Sequence, residues 1–154
     1  MKIELKEISK YKHQTYERVK FHEVDLMNVC NNAVYFNYFE DARIKYVLDL
    51  KKDYNLKELL ENDSFFIMVH NECDYYEPAL FDDELIILTR IDFIKNTSFG
   101  FRHLVLRKND KNIIAGGSGI VVHINLKTKI KIPLPAEFYD AVADYEDKVS
   151  LINK

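Results

Sequence analysis

Glycine, proline, cysteine and tryptophan are scarce in this sequence of 154 residues, which contains four glycines, three prolines, two cysteines and no tryptophan. So little glycine and proline excludes a collagen-like or low-complexity chain, and it argues against a glycine-rich nucleotide-binding loop. The two cysteines, Cys30 and Cys73, show no CxxC spacing, and the N-terminus lacks the apolar block of a secretory signal. We therefore predict a cytoplasmic protein with reduced thiols.

The charges are nearly balanced, with 22 basic and 25 acidic residues and a net charge of −3 at pH 7. Without a basic excess the chain has no field to hold a polyphosphate backbone, so nucleic-acid binding is not expected. No run approaches the roughly 18 apolar residues of a membrane span, so membrane insertion is not expected either. The five histidines are scattered, without a pair at ligand spacing on a helix, so the sequence predicts no metal site.

Hydrophobic residues make up 47% of the chain, and ten tyrosines with ten phenylalanines give an unusually large aromatic share of 13%. Apart from this aromatic excess, the composition is typical of a globular protein. A chain of this length is expected to form one domain, over residues 1–154. Its core should bury roughly 68–70% of the surface that the unfolded chain exposes.

The first strong periodic signals are those of a strand and a long helix. Residues 13–24 alternate with period two, which predicts a strand. Asn31 and Asn32 then offer N-caps for a helix over residues 33–50. The apolar positions of this helix form one stripe at helical spacing: Tyr35, Phe39, Ala42 and Tyr46. The first turns are apolar almost all round, so we expect the helix to be largely buried.

The rest of the chain predicts mostly strands. A short helix over residues 55–61, capped by Asn55, precedes them, and a last helix over residues 136–149 follows. Apolar runs separated by short Asn- and Asp-rich turns predict four strands, at 65–77, 84–95, 98–109 and 112–126. Three of the four glycines fall in the last of these, which indicates a strand that another group approaches closely. We therefore predict an α+β fold in which a five-stranded antiparallel sheet wraps around the long helix and pairs with a second copy.

Asp25 stands at the end of the first predicted strand, and the long helix opens seven residues later at Asn32. A helix N-terminus carries unpaired backbone N–H groups and a partial positive charge. A carboxylate beside such a terminus has the parts needed to attack a carbonyl and to stabilise the oxyanion that forms. The structural alternative is that Asp25 is a turn or capping residue.

The pattern around Asp25 resembles the hotdog-fold thioesterases of the 4-hydroxybenzoyl-CoA thioesterase and bacterial acyl-CoA thioesterase group. In that group an acidic residue ends the first strand, and an Asn- or His-containing turn leads into an aromatic helix that continues with Glu-x-Ala-Arg. The matching positions in this chain are Asp25, Asn32, Tyr35, Tyr38, Phe39, Glu40, Ala42 and Arg43. Further matches, which mainly support the fold, extend the resemblance over residues 13–138. One departure is Asn28, where many relatives carry glycine.

The resemblance implies a hotdog fold and the hydrolysis of an acyl-CoA thioester to a free acid and coenzyme A. Coenzyme A is then part of the substrate, and no cofactor is implied. The resemblance also implies that Asp25 is the catalytic carboxylate, as general base or nucleophile, and that the backbone N–H of Asn32 polarises the thioester carbonyl. A homodimer or homotetramer is expected, with the site at the seam between two copies.

Three aromatic residues are candidates for contacting the substrate. Tyr35 is expected to shape the acyl pocket, and Phe65 and Phe66 to line an acyl tunnel, with core packing as the alternative for each. Cys30 as a nucleophile is disfavoured because no histidine stands at a partner spacing. His70 as the histidine of a dehydratase is disfavoured because a strand histidine usually only faces its neighbours. Two other functions stay open, an acyl-carrier-protein thioesterase and a non-catalytic module that binds acyl-CoA.

Overall fold

The computed structural model describes residues 5–152, which form one sheet and three α-helices. The helices are α1 (Leu5–Ile8), α2 (Val34–Asp53) and α3 (Ala136–Tyr145). The strands are β1 (His13–Arg18), β2 (Ser64–Tyr75), β3 (Glu84–Ile94), β4 (Ser98–Arg107), β5 (Ile113–Asn125) and β6 (Ser150–Leu151). Within these residues, no helix combines the length and the apolar character that crossing a membrane requires.

Five strands form an antiparallel sheet in the order β1-β3-β4-β5-β2, which confirms the predicted sheet. The short turns at 95–97 and 108–112 join β3, β4 and β5 into consecutive hairpins, because Asn and Asp tolerate tight connections. β6 is a sixth, minor strand that pairs in parallel with Phe93 and Ile94 at the end of β3. Among the described strands β2 pairs only with β5, so its other edge is unpaired.

Helix α2 packs on one face of the sheet, called the inner face below; the opposite face is called the outer face. All four residues of the predicted apolar stripe are buried, with exposures of 0–2%, which confirms the helical spacing. On the far side of the helix, Ile44 and Leu48 are about half exposed, so α2 is less enclosed than its apolar first turns predict. An open antiparallel sheet with a long helix across one face is the predicted hotdog fold.

The glycines of β5 allow α2 to approach the sheet closely. A Cβ atom at Gly117 would lie 2.4 Å from Cε2 of Phe39 and 2.8 Å from the carbonyl oxygen of Glu72. The Phe39 ring fills that space and stacks on His103, with the ring centroids 4.6 Å apart. The bare backbone at Gly117 therefore confirms the prediction that another element lies against this strand.

The short helix predicted over residues 55–61 does not form, because Asn55 ends α2 and does not begin a new helix. Asn55 adopts the left-handed conformation, with φ of 53°. Its N–H donates to the carbonyl of Lys52 at 3.3 Å, and the N–H of Leu56 donates to the carbonyl of Lys51 at 2.9 Å. This pair of hydrogen bonds closes a helix whose next residue is left-handed, a position that Asn tolerates.

The last helix, α3, ends at residue 145, although the sequence predicts it to continue to 149. The backbone of Glu146 is extended, and its carboxylate is buried. That carboxylate accepts hydrogen bonds from the hydroxyl of Tyr46 at 2.6 Å and from the N–H of Ile91 at 3.0 Å. These contacts with α2 and β3 draw the chain out of the helix.

His103 on β4 makes stability depend on pH. Its Nδ1 lies 3.0 Å from Oγ1 of Thr89, and burial together with the nearby guanidinium of Arg43 holds the pKa of His103 well below its usual value. In the range below about pH 6.5 the unfolded chain therefore binds a proton that the folded protein does not. We expect the free energy of unfolding to fall there by about 1.4 kcal/mol per pH unit for this proton.

Urea unfolding of the wild type and His103→Gln between pH 7.5 and 5.0, at one protein concentration, checks this expectation. The substitution should remove the contribution of one proton from the slope, while some slope remains because burial also lowers the pKa of His123. His22→Gln, at an exposed histidine outside the core, is the matched control, and an equal change of slope in both variants would contradict the assignment to His103. Equal slopes for His103→Gln and the wild type would contradict the expectation.

Candidate active site

The segment between β1 and α2 is a small hairpin that holds Asp25. β1 ends at Arg18, so the prediction that Asp25 closes the first strand is wrong. A 3-10 turn ends the run of alternating residues, and Val24 and Cys30 then form a separate antiparallel bridge. Inside this bridge the N–H of Asp25 donates to the carbonyl of Val29 at 2.9 Å. Asp25 therefore lies in the loop of a hairpin that precedes α2.

The turn of this hairpin depends on a left-handed residue, Asn28, whose φ is 60°. The N–H of Asn28 donates to the carbonyl of Asp25 at 2.9 Å, which closes the turn. Asn is one of the residues that tolerate positive φ. The turn therefore forms without the glycine that many hotdog-fold thioesterases carry at this position.

The carboxylate of Asp25 is exposed, and one of its two oxygens forms a hydrogen bond within the turn. Its Oδ1 accepts a hydrogen bond from the N–H of Met27 at 2.8 Å. Its second oxygen takes no hydrogen bond from the described residues. Asp25 is thus a turn residue and, at the same time, a carboxylate with one oxygen open to a ligand.

Asn31 and Asn32 lie in the turn that leads into α2; the N-cap is Ala33, without a side-chain cap, so the prediction that these asparagines cap the helix is wrong. The side-chain oxygen of Asn31 accepts the N–H of Ala33 at 3.0 Å, and its carbonyl accepts the N–H of Val34 at 3.0 Å. The N–H of Asn32 has no acceptor within residues 5–152. It is therefore a donor available to a ligand oxygen, at the positive end of the helix dipole.

A buried carboxylate, Glu23, joins the hairpin to α2. Its side chain accepts hydrogen bonds from the hydroxyl of Tyr38 at 3.0 Å and from the N–H of Lys20 at 2.8 Å. Its carbonyl accepts the N–H of Asn31 at 2.8 Å. The sequence does not reveal these roles, because the helical period gives no sign of where the hydroxyl of Tyr38 points.

Cys30 and His70 do not form a competing nucleophilic site. Cys30 is 5% exposed, and burial raises the pKa of its thiol, which disfavours the reactive thiolate. His70 lies on the exposed part of β2, where its Nε2 is 3.2 Å from a carboxylate oxygen of Glu72. The two residues make no hydrogen bond to each other, so the structure offers no Cys–His pair here.

The three predicted substrate-contacting residues lie in different surroundings. Tyr35 is buried in the first turn of α2, three residues after Asn32. Phe66 faces the core, with its ring centroid 5.0 Å from that of Phe99. Phe65 is 49% exposed on the outer face, because successive strand residues point to opposite faces. Phe65 and Phe66 therefore cannot line one cavity within a single copy, and the substrate contacts of all three residues stay predictions.

A groove of about 610 Å³ opens on the outer face, away from the hairpin. It is floored by the small residues Gly116 and Ser118, and neither Asp25 nor Asn32 lines it. Its walls carry charged residues of both signs. No three His, Cys, Asp or Glu side chains within residues 5–152 form a group that could hold a metal ion. We therefore take the hairpin and the start of α2 as the candidate site, and the predicted lack of a cofactor stays a prediction.

A model of the thioesterase-like superfamily matches residues 19–142 of the chain. The chain belongs to this superfamily. Membership makes the protein a thioester hydrolase, which confirms the predicted enzyme class. The range that matches in this thioesterase contains the hairpin, α2 and strands β2 to β5, so the candidate site lies within it.

Relatives of the thioesterase support the same family. It is 23% identical over 124 residues to the long-chain acyl-CoA thioesterase FadM of Escherichia coli, covering 80% of this chain and 92% of FadM. It is 23% identical over 122 residues to the chloroplastic acyl-acyl carrier protein thioesterase ATL3 of Arabidopsis thaliana. This match covers 79% of this chain and 63% of ATL3. The crystal structure of Slr0204, a 1,4-dihydroxy-2-naphthoyl-CoA thioesterase from Synechocystis, matches with a TM-score of 0.72 at 18% identity. This match covers 86% of this chain and 96% of Slr0204. At that identity the structural match supports the fold alone.

Proposed function

We propose that this thioesterase hydrolyses acyl-CoA to a free acid and coenzyme A at the hairpin that carries Asp25. The observation that carries the proposal is an exposed carboxylate and a free N–H, that of Asn32, held at the same end of α2. FadM is named as an acyl-CoA thioesterase, which supports CoA as the acyl carrier. The free thiols of Cys30 and Cys73 fit a reducing cytoplasm.

The chemistry follows from these two groups. The N–H of Asn32 donates to the thioester carbonyl oxygen, and the positive end of α2 stabilises the negative charge that develops there. As a general base, Asp25 takes a proton from water whose oxygen attacks the carbonyl carbon. As a nucleophile, Asp25 attacks that carbon itself and forms a mixed anhydride that water hydrolyses. In both routes the carbon–sulfur bond breaks, one water is consumed, the acyl group is released as the free acid, and CoA leaves as a thiolate that takes a proton.

The test is thiol release from a panel of short, long and aromatic acyl-CoAs incubated with the purified protein. The proposal expects turnover of at least one member. Binding of acyl-CoA without thiol release from any member would favour the non-catalytic alternative. The same acyl groups on acyl carrier protein are compared in parallel, because ATL3 is named for that carrier. A preference for the protein carrier by more than about tenfold would replace CoA in the proposal.

We further propose that the working unit is a homodimer joined along β2, alone or paired into a tetramer. Three apolar side chains of β2 are exposed, Phe65 by 49%, Ile67 by 39% and Val69 by 56%. An unpaired edge with apolar side chains is a surface that stable proteins cover. The end of β2 contacts the start of α2, since the hydroxyl of Tyr75 bonds to Asn32. A seam along β2 would therefore run beside the candidate site.

Ile67→Lys should disrupt this seam, because a charged side chain on an edge strand opposes pairing with another copy. We expect light scattering to report a monomer and thiol release to fall by about tenfold or more. Tyr16→Lys is the control, since Tyr16 is 63% exposed on β1, at the opposite edge of the sheet. A dimer that persists in Ile67→Lys, or is lost equally in the control, would place the interface elsewhere.

A further inference from the structure

A hydroxyl from a distant strand is bonded to the residue whose N–H is left free. Tyr75 is the last residue of β2, and its hydroxyl donates to the carbonyl of Asn32 at 2.7 Å. Its ring packs edge-on against the ring of Tyr35, with the centroids 5.3 Å apart. The hydroxyl of Tyr75 therefore contacts the turn that leads into α2, and its ring contacts the first turn of the helix.

This contact completes the restraint on Asn32. The peptide plane before its Cα contains the free N–H and the carbonyl of Asn31, and that carbonyl accepts the N–H of Val34 at 3.0 Å. The peptide plane after its Cα contains the carbonyl that Tyr75 holds. With both planes held, the direction of the Asn32 N–H is fixed before any ligand arrives. A hydrogen-bond donor that is held in place in this way stabilises a developing oxyanion more strongly than a mobile donor does.

We propose that Tyr75 is a positioning residue that aims the Asn32 N–H at the thioester oxygen. The proposal rests on the proposed function, since it assigns Tyr75 a role in that reaction. Burial raises the pKa of Tyr75 to about 12, so the phenol keeps the proton that it donates at neutral pH. Tyr75 does not touch the reacting atoms in this scheme; it acts only through Asn32.

The chain offers a matched control at the next residue. Tyr76 follows Tyr75 at the end of β2 but belongs to the outer face, where its ring lies beside Gly116 in the 610 Å³ groove. Tyr75→Phe and Tyr76→Phe therefore each remove one phenol hydroxyl, from opposite faces of the sheet. Both keep the ring, so the packing of Tyr75 against Tyr35 is preserved.

Kinetics on the best acyl-CoA substrate give the first test. For Tyr75→Phe we expect kcat to fall about three- to tenfold, which corresponds to the loss of one hydrogen bond to the donor peptide. KM should stay within about twofold, because a donor aimed at the oxyanion acts mainly in the transition state. Tyr76→Phe should retain the wild-type kcat. A wild-type kcat in Tyr75→Phe, a loss confined to KM, or an equal loss in Tyr76→Phe would overturn the proposal.

Amide hydrogen exchange tests the positioning separately from the activity. In Tyr75→Phe the N–H groups of Ala33 and Val34 should exchange several-fold faster than in the wild type, whereas Tyr76→Phe should leave them unchanged. If the wild type releases no thiol from acyl-CoA, the proposed function fails, and exchange still decides whether Tyr75 holds this turn. Unchanged exchange in Tyr75→Phe would overturn the positioning role whatever the activity.

Discussion

Asp25→Asn should lower kcat for acyl-CoA hydrolysis by at least about 100-fold, the scale expected for losing a general base or a nucleophile. The amide keeps an oxygen that can accept the N–H of Met27, so the hairpin turn should survive. What the substitution removes is the negative charge and basicity of the carboxylate. Initial rates of thiol release measure the effect, and thermal unfolding should show a midpoint close to that of the wild type.

Asp110→Asn is the matched control for this substitution. Asp110 is also an exposed aspartate in a turn, and its Oδ1 accepts the N–H of Asn112, two residues on, at 2.9 Å. Asp25 makes the same local bond with the residue two positions on. Asp110→Asn should therefore test the loss of a turn carboxylate without touching the site. Equal rates for Asp25→Asn and the wild type would refute the assignment of Asp25, and equal losses in both variants would reduce it to a turn residue.

Gly117→Ala should produce the largest effect on stability, with a loss of about 1–3 kcal/mol of unfolding free energy from overpacking. The new methyl group would lie 2.4 Å from the Phe39 ring and 2.8 Å from the backbone oxygen of Glu72. Neither group can give way easily, because Phe39 is fully buried against His103 and the Glu72 oxygen belongs to the main chain. Urea unfolding of both proteins under identical conditions measures the difference.

The neighbouring glycine supplies the comparison. A Cβ atom at Gly116 would point to the outer face and lie 3.5 Å from Leu104 and Tyr76, which is ordinary contact. Gly116→Ala should therefore change the unfolding free energy by less than about 0.5 kcal/mol, or raise it slightly, because alanine loses less backbone entropy on folding. If the two alanine variants were equally stable, α2 would not be seated on β5 as described.

The elements that the sequence predicted best are those with a local signal. The stripe on α2 follows the period of the helix, and the three hairpin strands follow from their short Asn- and Asp-rich turns. The failed prediction over 55–61 shows the limit of local signals. The residues of this segment have helical spacing, but Asn55 adopts the left-handed conformation that closes α2. Asparagine tolerates this conformation, but the presence of an asparagine does not predict it.

The candidate site likewise contains residues that a local pattern predicts and residues that only the fold brings together. Asp25 and Asn32 are seven residues apart, so a local pattern contains both of them. Glu23 and Tyr38 are linked through a buried hydrogen bond, and Tyr75 reaches Asn32 from a strand far along the chain. Such contacts depend on how α2 and β2 are placed by the rest of the fold. No period or spacing in the sequence indicates them.

The most direct measurement is a crystal structure of the protein with an unreactive acyl-CoA analogue whose carbonyl oxygen is retained. The carbonyl oxygen should lie about 3 Å from the backbone nitrogen of Asn32, a hydrogen-bond distance. The carboxylate of Asp25 should face the carbonyl carbon, and the acyl chain should enter the seam beside β2. An analogue whose carbonyl lies in the outer-face groove, with the Asn32 N–H still free, would contradict the proposed site.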